Sequence, residues 1–377
     1  MIKCISKARA ILQFASIALH FIGVQSQCNE TCVPLGKCST TFAGAGLYEL
    51  RIEKSEHLCS HHLEVCCNGK DIINGRPNEA QKRTFQDCGR RNVQRVGFRV
   101  VDAMPWGTQF GEFPWMVGLL EVKGQSNGKL DKWYFCGGSL IEPNVVVTAA
   151  HCVSKKRTAD LIVRAWEWDA STVKEILPYQ ERRVDKIVIH VNFNQSSLYN
   201  DIALLFLDDA FQPDEHIQLI CLPPQEKSFE NAKNCIATGW GKTSFDSLGY
   251  SKILKKVQLS IVTHSECETA LRSTRLGGTF NLHDSFLCAG GEAGVDTCTG
   301  DGGSPLVCPS DDDEDGRYQL AGIVAWGIGC GRTGIAGVYV NGSMYYDWIF
   351  RTTELYGLEK EEAKMEAQGM YKWASFW

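Results

Sequence analysis

Three segments of this chain carry residue types suited to acyl-transfer chemistry. Thr148-Ala149-Ala150-His151-Cys152 supplies an imidazole, a side chain that moves protons near neutral pH. Asn200-Asp201-Ile202-Ala203-Leu204-Leu205 sets a carboxylate at the head of an apolar strand, where it can orient a base. Asp296-Thr297-Cys298-Thr299-Gly300-Asp301-Gly302-Gly303-Ser304-Pro305-Leu306 is a glycine-rich loop, whose backbone N–H groups can approach and stabilise an oxyanion. Any one of them alone is weak evidence. It is their order along one chain that makes a constellation.

The elements that must position them follow from the pattern beyond residue 100. Val145-Val146-Val147-Thr148, Lys186-Ile187-Val188-Ile189, Ile202-Ala203-Leu204-Leu205-Phe206-Leu207 and Gly322-Ile323-Val324-Ala325-Trp326 are short β-rich runs separated by turns. Many short strands with Gly/Pro punctuation predict an antiparallel sandwich or barrel. A helix is expected to start near Tyr345 and run through Trp348, before a tail over 354–377 rich in Glu, Lys, Ala and Met.

The 377 residues exceed one average domain, so a large domain with a smaller one is expected. A net charge of -5 gives no electrostatic reason to expect nucleic acid or an anionic membrane as partner. Residues 1–26 read as a signal peptide: Lys3, Lys7 and Arg9 precede an apolar run from Ala10 to Val24, too short for a membrane anchor and broken by Gln13 and His20. Of 17 cysteines Cys4 falls in that segment, leaving an even number to pair in an oxidising compartment. Six of them, Cys28, Cys32, Cys38, Cys59, Cys66 and Cys67, crowd the stretch 28–67. So short a unit cannot hold itself by its core, and cross-links are the usual remedy. Zinc is the competing reading, with His57, His61 and His62 nearby, but the secretory context favours disulfides. Residues 68–99 read as a polar linker whose Lys82, Arg83, Arg90, Arg91, Arg95 and Arg99 offer bonds to a trypsin-like protease. Asn29, Asn194 and Asn341 head glycosylation sequons, and Asp311-Asp312-Asp313-Glu314-Asp315 reads as a hydrated loop.

With Gly111-Glu112-Phe113-Pro114-Trp115 and Gly239-Trp240-Gly241, the three segments over 100–353 resemble the trypsin/chymotrypsin family. The resemblance implies a mostly β, chymotrypsin-like double β-barrel of two six-stranded barrels, with the site in the cleft between them. It implies His151 as general base, Asp201 as its orienting carboxylate, and Asp296, Gly327 and Gly337 as a pocket for Arg or Lys side chains. It further implies Gly300 and Gly302 amides as an oxyanion hole and the bridges Cys136–Cys152, Cys235–Cys308, Cys267–Cys288 and Cys298–Cys330. Glu167, Asp169 and Glu181 fall where such proteins hold calcium, although surface acids are more often simply solvated. No other cofactor is implied.

The departure lies in the loop itself. The family reads Gly-Asp-Ser-Gly-Gly-Pro where this chain reads Gly300-Asp301-Gly302-Gly303-Ser304-Pro305, and the spacing from Cys298 to Pro305 is unchanged. Glycine at the nucleophile position cannot form an acyl-enzyme. Ser304 lies two residues on, roughly 6–7 Å along extended chain, too far to be the base's partner. Ala325 stands where the family usually has a serine bonded to the aspartate, and Arg99-Val100-Val101-Asp102-Ala103 lacks the glycine of a family activation terminus. That terminus is expected not to insert beside Asp301.

The six-cysteine unit before such a domain resembles the clip domain, and the whole chain resembles the non-catalytic, masquerade-like clip-domain serine protease homologs. The resemblance implies the bridges Cys28–Cys66, Cys32–Cys59 and Cys38–Cys67, and Cys88–Cys221 tying the linker to the protease-like domain. It also implies a secreted, haemolymph-like setting and innate-immune prophenoloxidase activation (melanisation). The expected partners are an upstream clip-domain serine protease that cuts the linker, prophenoloxidase or phenoloxidase, and further copies of the chain. The alternatives are a decoy that fills its pocket with Arg/Lys peptides or recruits inhibitors, and a residual hydrolase using Ser304 or an activated water.

Overall fold

Runs of β-branched and apolar residues form strands here because both their faces are covered. Every residue of Val145–Thr148 and of Ala203–Leu207 is buried. The structure is a computed structural model. It describes residues 31–34, 38, 48–51, 59, 64–72, 84–85, 88–92, 98–101, 107–126, 128–165, 168–169, 177–241, 251–292, 300–310, 316–329 and 331–367.

In the N-terminal unit β1 (Thr31–Pro34) pairs antiparallel with β3 (Glu64–Cys67), opposing Cys32 to Cys66, while β2 (Tyr48–Arg51) runs parallel to β4 (Phe98–Val101). Among the described residues, the buried apolar cluster of this unit holds Val33, Cys38 and Cys67, with Val65 and Ile72 against it. Cys32–Cys59 and Cys38–Cys67 are formed; Cys66 is also disulfide-bonded, and its expected partner Cys28 lies outside the described residues.

The first barrel comprises β5 (Met116–Ser126), β6 (Lys129–Glu142), β7 (Val145–Thr148), β8 (Leu161–Ala165), β9 (Gln180–Ile189) and β10 (Ala203–Leu207), with the short helix α1 (Ala150–Val153) after β7. It closes in the order β10-β7-β6-β5-β8-β9. The second sheet is built from β11 (Cys235–Gly239), β12 (Lys255–Leu259), β13 (Ile261–Val262), β14 (Phe286–Ala289), β15 (Pro305–Pro309), β16 (Tyr318–Trp326) and β17 (Gly337–Asn341). Helix α2 (His264–Arg272) follows β13, opened by a capping box between Thr263 and Glu266.

This second sheet runs β12-β11-β15-β16-β17-β14-β13, so its two edge strands are consecutive in sequence and separated only by Ser260. It must therefore curl round on itself. The pair of sheets is the chymotrypsin-like double barrel, in which the second unit is seven short strands where six were expected, one strand being interrupted at Ser260.

Helix α3 (Tyr346–Ala367) is continuous, so the boundary expected at 353 falls inside it. Its middle docks on the first barrel. Tyr356 stacks on Phe206 with ring centroids 3.9 Å apart and donates to Asp185 at 2.7 Å, and Lys360 pairs with the same carboxylate at 2.7 Å.

Part of the linker is also docked. Cys88–Cys221 is formed, Gly89 N–H donates to Leu219 O at 2.7 Å, and Tyr318 N–H donates to Gly89 O at 2.9 Å. Gly89 has φ +75, and a Cβ there would run into the Tyr318 backbone, so only glycine fits. Arg91 and Lys256 both bind the buried Glu112 carboxylate, and Asn92 Nδ2 donates to Gly111 O at 2.7 Å.

Candidate functional site

The end of β7, helix α1 and the turn before β10 bring His151 to Asp201. The Asp201 side chain is fully buried; its Oδ1 accepts the His151 backbone N–H at 2.7 Å, and its Oδ2 lies 2.6 Å from His151 Nδ1. The two contacts fix both the position of the ring and the tautomer that donates from Nδ1. Nε2 is then left to face the glycine-rich loop.

That loop delivers Gly302 to the imidazole. A Cβ built on Gly302 would lie 2.9 Å from His151 Nε2, 3.4 Å from Cε1 and 3.7 Å from Cys136 Sγ. Residue 302 thus holds the place from which a nucleophile would reach its base, and the ring edge leans over the space a side chain would fill. The loop is pinned at several points. Gly137 N–H donates to Gly302 O at 2.9 Å, Tyr134 OH to Gly300 O at 3.1 Å, and Gly303 N–H to Val324 O at 2.9 Å. Gly303 has φ +78, and a Cβ there would meet Gly137 O at 2.5 Å.

Ser304 is turned away from this chemistry. It is fully buried at the start of β15, its N–H donates to Asp301 O at 3.0 Å, and its hydroxyl has no hydrogen-bond partner among the described residues. The Oγ packs on Gly137, where a Cβ would collide with it. The hydrolase reading through Ser304 is therefore corrected: that hydroxyl is a core group without access to substrate or to His151.

Asp301 occupies a cradle of backbone. Gly241 N–H donates to its Oδ1 at 2.7 Å, and a Cβ on Gly241 would come within 2.5 Å of the carboxyl carbon. Lys255 Nζ donates to Gly241 O at 2.5 Å; burial lowers the Lys255 pKa, while the Asp301 charge opposes that shift. Arg99 and Val100 lie in β4, paired with β2.

Of the expected pocket, Asp296 lies outside the described residues, as do Cys298 and Cys330. Gly327 is exposed after β16, and Gly337 is the buried first residue of β17. Cys136–Cys152, Cys235–Cys308 and Cys267–Cys288 are formed. The first of these takes up both sulfurs beside His151. Glu167 is outside the described residues, and Asp169 is buried. Burial pushes the Glu181 carboxyl up, but the bonds from Lys132 and Arg164 outweigh it and hold the pKa below its ordinary value. A carboxylate already carrying two cations does not fit a calcium ligand. Asn194 is exposed, with Oδ1 accepting from Ser196 N–H at 2.9 Å; Asn341 is half-buried, with Oδ1 accepting from Ser343 Oγ at 3.0 Å; Asn29 lies outside the described residues.

Several positioning residues escaped the sequence reading. Tyr134 holds the loop through Gly300 O. On the Asp201 flank, Tyr345 OH donates to Asn200 Oδ1 at 2.9 Å and Asn200 N–H donates to Ser285 Oγ at 3.3 Å. Burial pushes the Tyr345 phenol up, and the Asp201 charge adds to it. Tyr134, Ser285 and Tyr345 sit far from the motifs in sequence, and no local pattern distinguishes them; Asn200 adjoins Asp201, but its partners are set by the fold.

The family profile described as Trypsin matches residues 107–349. Among curated proteins, the chain is 49% identical over 278 residues to phenoloxidase-activating factor 2 of Galleria mellonella, covering 72% of this chain and 90% of that protein. It is 39% identical over 300 residues to inactive CLIP domain-containing serine protease A8 of Anopheles gambiae, covering 79% and 80%. It is 38% identical over 263 residues to protein masquerade of Drosophila melanogaster, covering 69% of this chain and 23% of that protein. Fold, site geometry and relatives agree: the chain belongs to the trypsin family, among its clip-domain serine protease homologs.

Proposed function

We propose that this chain is a secreted, non-catalytic serine protease homolog that acts as a cofactor or scaffold in prophenoloxidase activation, within the melanisation branch of innate immunity. The observation that carries this reading is the geometry around residue 302. A base is held and oriented by a buried carboxylate, with glycine where the attacking group belongs. Bound peptide can meet that surface, but no side chain there can attack it. Similarity to a phenoloxidase-activating factor and to relatives named inactive supplies the biological setting.

On this reading an upstream clip-domain protease cuts the linker, and the cut chain engages phenoloxidase or further copies of itself. The domains are the clip unit (28–67), the linker (68–99) and the inactive protease-like domain, which takes in α3 (Tyr346–Ala367). The signal segment 1–26 directs export, and no described helix is long and apolar enough to cross a membrane. Asn194, in its exposed turn, is the sequon best placed to carry a glycan. Calcium binding through Glu181 is opposed by Lys132 and Arg164, which already pair with that carboxylate.

The test is incubation of purified prophenoloxidase and its activating protease with and without this protein. Phenoloxidase activity should rise only when the protein is present; unchanged activity would refute the cofactor role. A second reading, a decoy that holds Arg/Lys peptides, is favoured by the formed loop at Gly300–Gly303. Asp296→Ala should then abolish peptide binding.

A further inference from the structure

We propose that the N-terminal unit shields the Arg99–Val100 bond by strand pairing, which puts the cuts in a fixed order. Lys82 or Arg83 is cut first, and Arg99 only after the unit has left. This rests on the reading above that a trypsin-like protease acts on the linker, and it adds how the chain itself regulates that protease.

The shield is β2 (Tyr48–Arg51), which runs parallel to β4 (Phe98–Val101). The register sets Tyr48 opposite Phe98, Glu49 opposite Arg99, Leu50 opposite Val100 and Arg51 opposite Val101. An aromatic residue thus stands opposite an aromatic one, an acid opposite a base, and an aliphatic residue opposite an aliphatic one. The Arg99–Val100 bond lies in the middle of the pair. A protease must enclose a scissile bond as extended, unpaired chain, and a neighbouring strand along one edge of β4 prevents that. Cleavage there waits for the pair to open.

The covalent connections decide when it opens. β2 lies between Cys38 and Cys59, inside the loops closed by Cys32–Cys59 and Cys38–Cys67, so it belongs to one cross-linked body. On the other side Cys88–Cys221 fastens the linker to the protease-like domain shortly before β4. While the chain between Cys67 and Cys88 is whole, β2 and β4 pair within one molecule, at an effective concentration of about millimolar order. Four residues of parallel pairing have little strength of their own, because two-stranded sheets are marginal in water and parallel pairs the weaker kind. The half-buried Val65, which packs against the main apolar cluster, adds only one side chain.

A cut after Lys82 or Arg83 removes the tether. Cys32–Cys59 and Cys38–Cys67 lie wholly before it and Cys88–Cys221 wholly after it, so the pairing becomes bimolecular and the unit diffuses away. A cut after Arg95 has no such effect. Cys88–Cys221 still joins the unit to the domain, and Arg99 stays covered.

The test is a time course of trypsin on the full chain, read by N-terminal sequencing and by intact mass without reduction. A Val100 terminus should appear with a lag, after loss of the unit, and should be missing from chains cut only after Arg95. Lys82→Gln combined with Arg83→Gln removes the first cut and should slow the Val100 terminus by about tenfold or more, since cleavage tracks the population of open pairs. Glu49→Pro combined with Leu50→Pro should do the opposite. Successive N–H groups of a strand point to opposite edges, so one of the two prolines removes a pairing donor whichever edge is used. Val100 should then appear without a lag, on chains that still carry the unit. A count of free thiols shows whether the bridges of this variant have formed; if they have not, the Lys82/Arg83 variant decides, since it keeps both strands intact. A Val100 terminus on wild-type chains that still carry the unit would overturn the proposal. So would an unchanged rate in the Lys82/Arg83 variant, or an unchanged lag in a correctly bridged proline variant. Phenoloxidase is absent from these measurements, so the cofactor role and the order of cuts fail separately. A linker that trypsin leaves whole would overturn the linker cut and its order together.

Discussion

At position 302 glycine and serine differ by one hydroxymethyl group, and the surrounding atoms show what its loss permits. The imidazole edge occupies space that a Cβ would contest at 2.9 Å. Gly302→Ser therefore requires the ring to swing out slightly, a small cost for the free end of a side chain. The base and its carboxylate stay in place, so the variant should gain fluorophosphonate labelling, roughly 10²-fold or more above the parent background. Ala325 leaves the aspartate without the family's hydroxyl partner, which keeps the variant below a full enzyme. Ser304→Ala tests the opposite point. Its hydroxyl is buried without a partner, a cost of about 1–3 kcal/mol that alanine removes. Thermal denaturation should show an unchanged or higher midpoint, and a marked fall would contradict that reading.

Elements carry the site through their contacts with one another. Helix α3 leaves the second sheet and lies across β9 and β10 of the first barrel, so it ties together the two sides that supply the loop and the His–Asp pair. Tyr356 is 6% exposed, and Tyr356→Ala should cost about 3 kcal/mol, the usual scale for losing a buried ring. A melting midpoint lowered by roughly 6–12 °C would be the readout. The Tyr356 phenol is pushed up to about 12, by burial first and then by its bond to Asp185, so it stays protonated at physiological pH.

Asp185 is held below its ordinary value by Lys360, then by Tyr356. A carboxyl whose folded pKa is depressed contributes stability above its unfolded pKa, and that contribution is lost as pH falls through the folded value. Protection of the α3 amides, taken relative to their intrinsic exchange, should therefore fall below about pH 4 and stay level between pH 5 and 8. Solvent screening at this partly exposed pair keeps the effect small.

Across the whole molecule, the docked linker limits where a protease can act. A protease needs several residues of free, extended chain around the scissile bond, and residues 88–92 are clamped by a disulfide, three backbone hydrogen bonds and the Arg91–Glu112 pair. In the intact chain cuts are expected after Lys82, Arg83 or Arg95, and not after Arg90 or Arg91, nor after Arg99, which is paired in β4. N-terminal sequencing of trypsin-treated protein checks this. On a non-reducing gel a chain cut after Arg95 should migrate as one species, held by Cys88–Cys221, whereas a cut after Lys82 or Arg83 should release the clip unit. Replacing Cys88 and Cys221 by serine should release two after a cut at Arg95.

The sequence by itself determined the β-rich class, because alternating short apolar runs and turn residues act locally. Through the family resemblance it also marked Gly302 as the residue standing where the nucleophile is expected. The cross-linked N-terminal unit was legible too, since so few residues leave cysteine pairing as the main source of stability. Only the tertiary structure decided which groups the loop actually meets. Tyr134, Ser285 and Tyr345 act across barrels from positions no periodicity marks. It also set apart Ser304, buried against Gly137, from Gly302, facing His151. Two residues along one strand entry point to opposite environments, and that is a property of packing rather than of spacing.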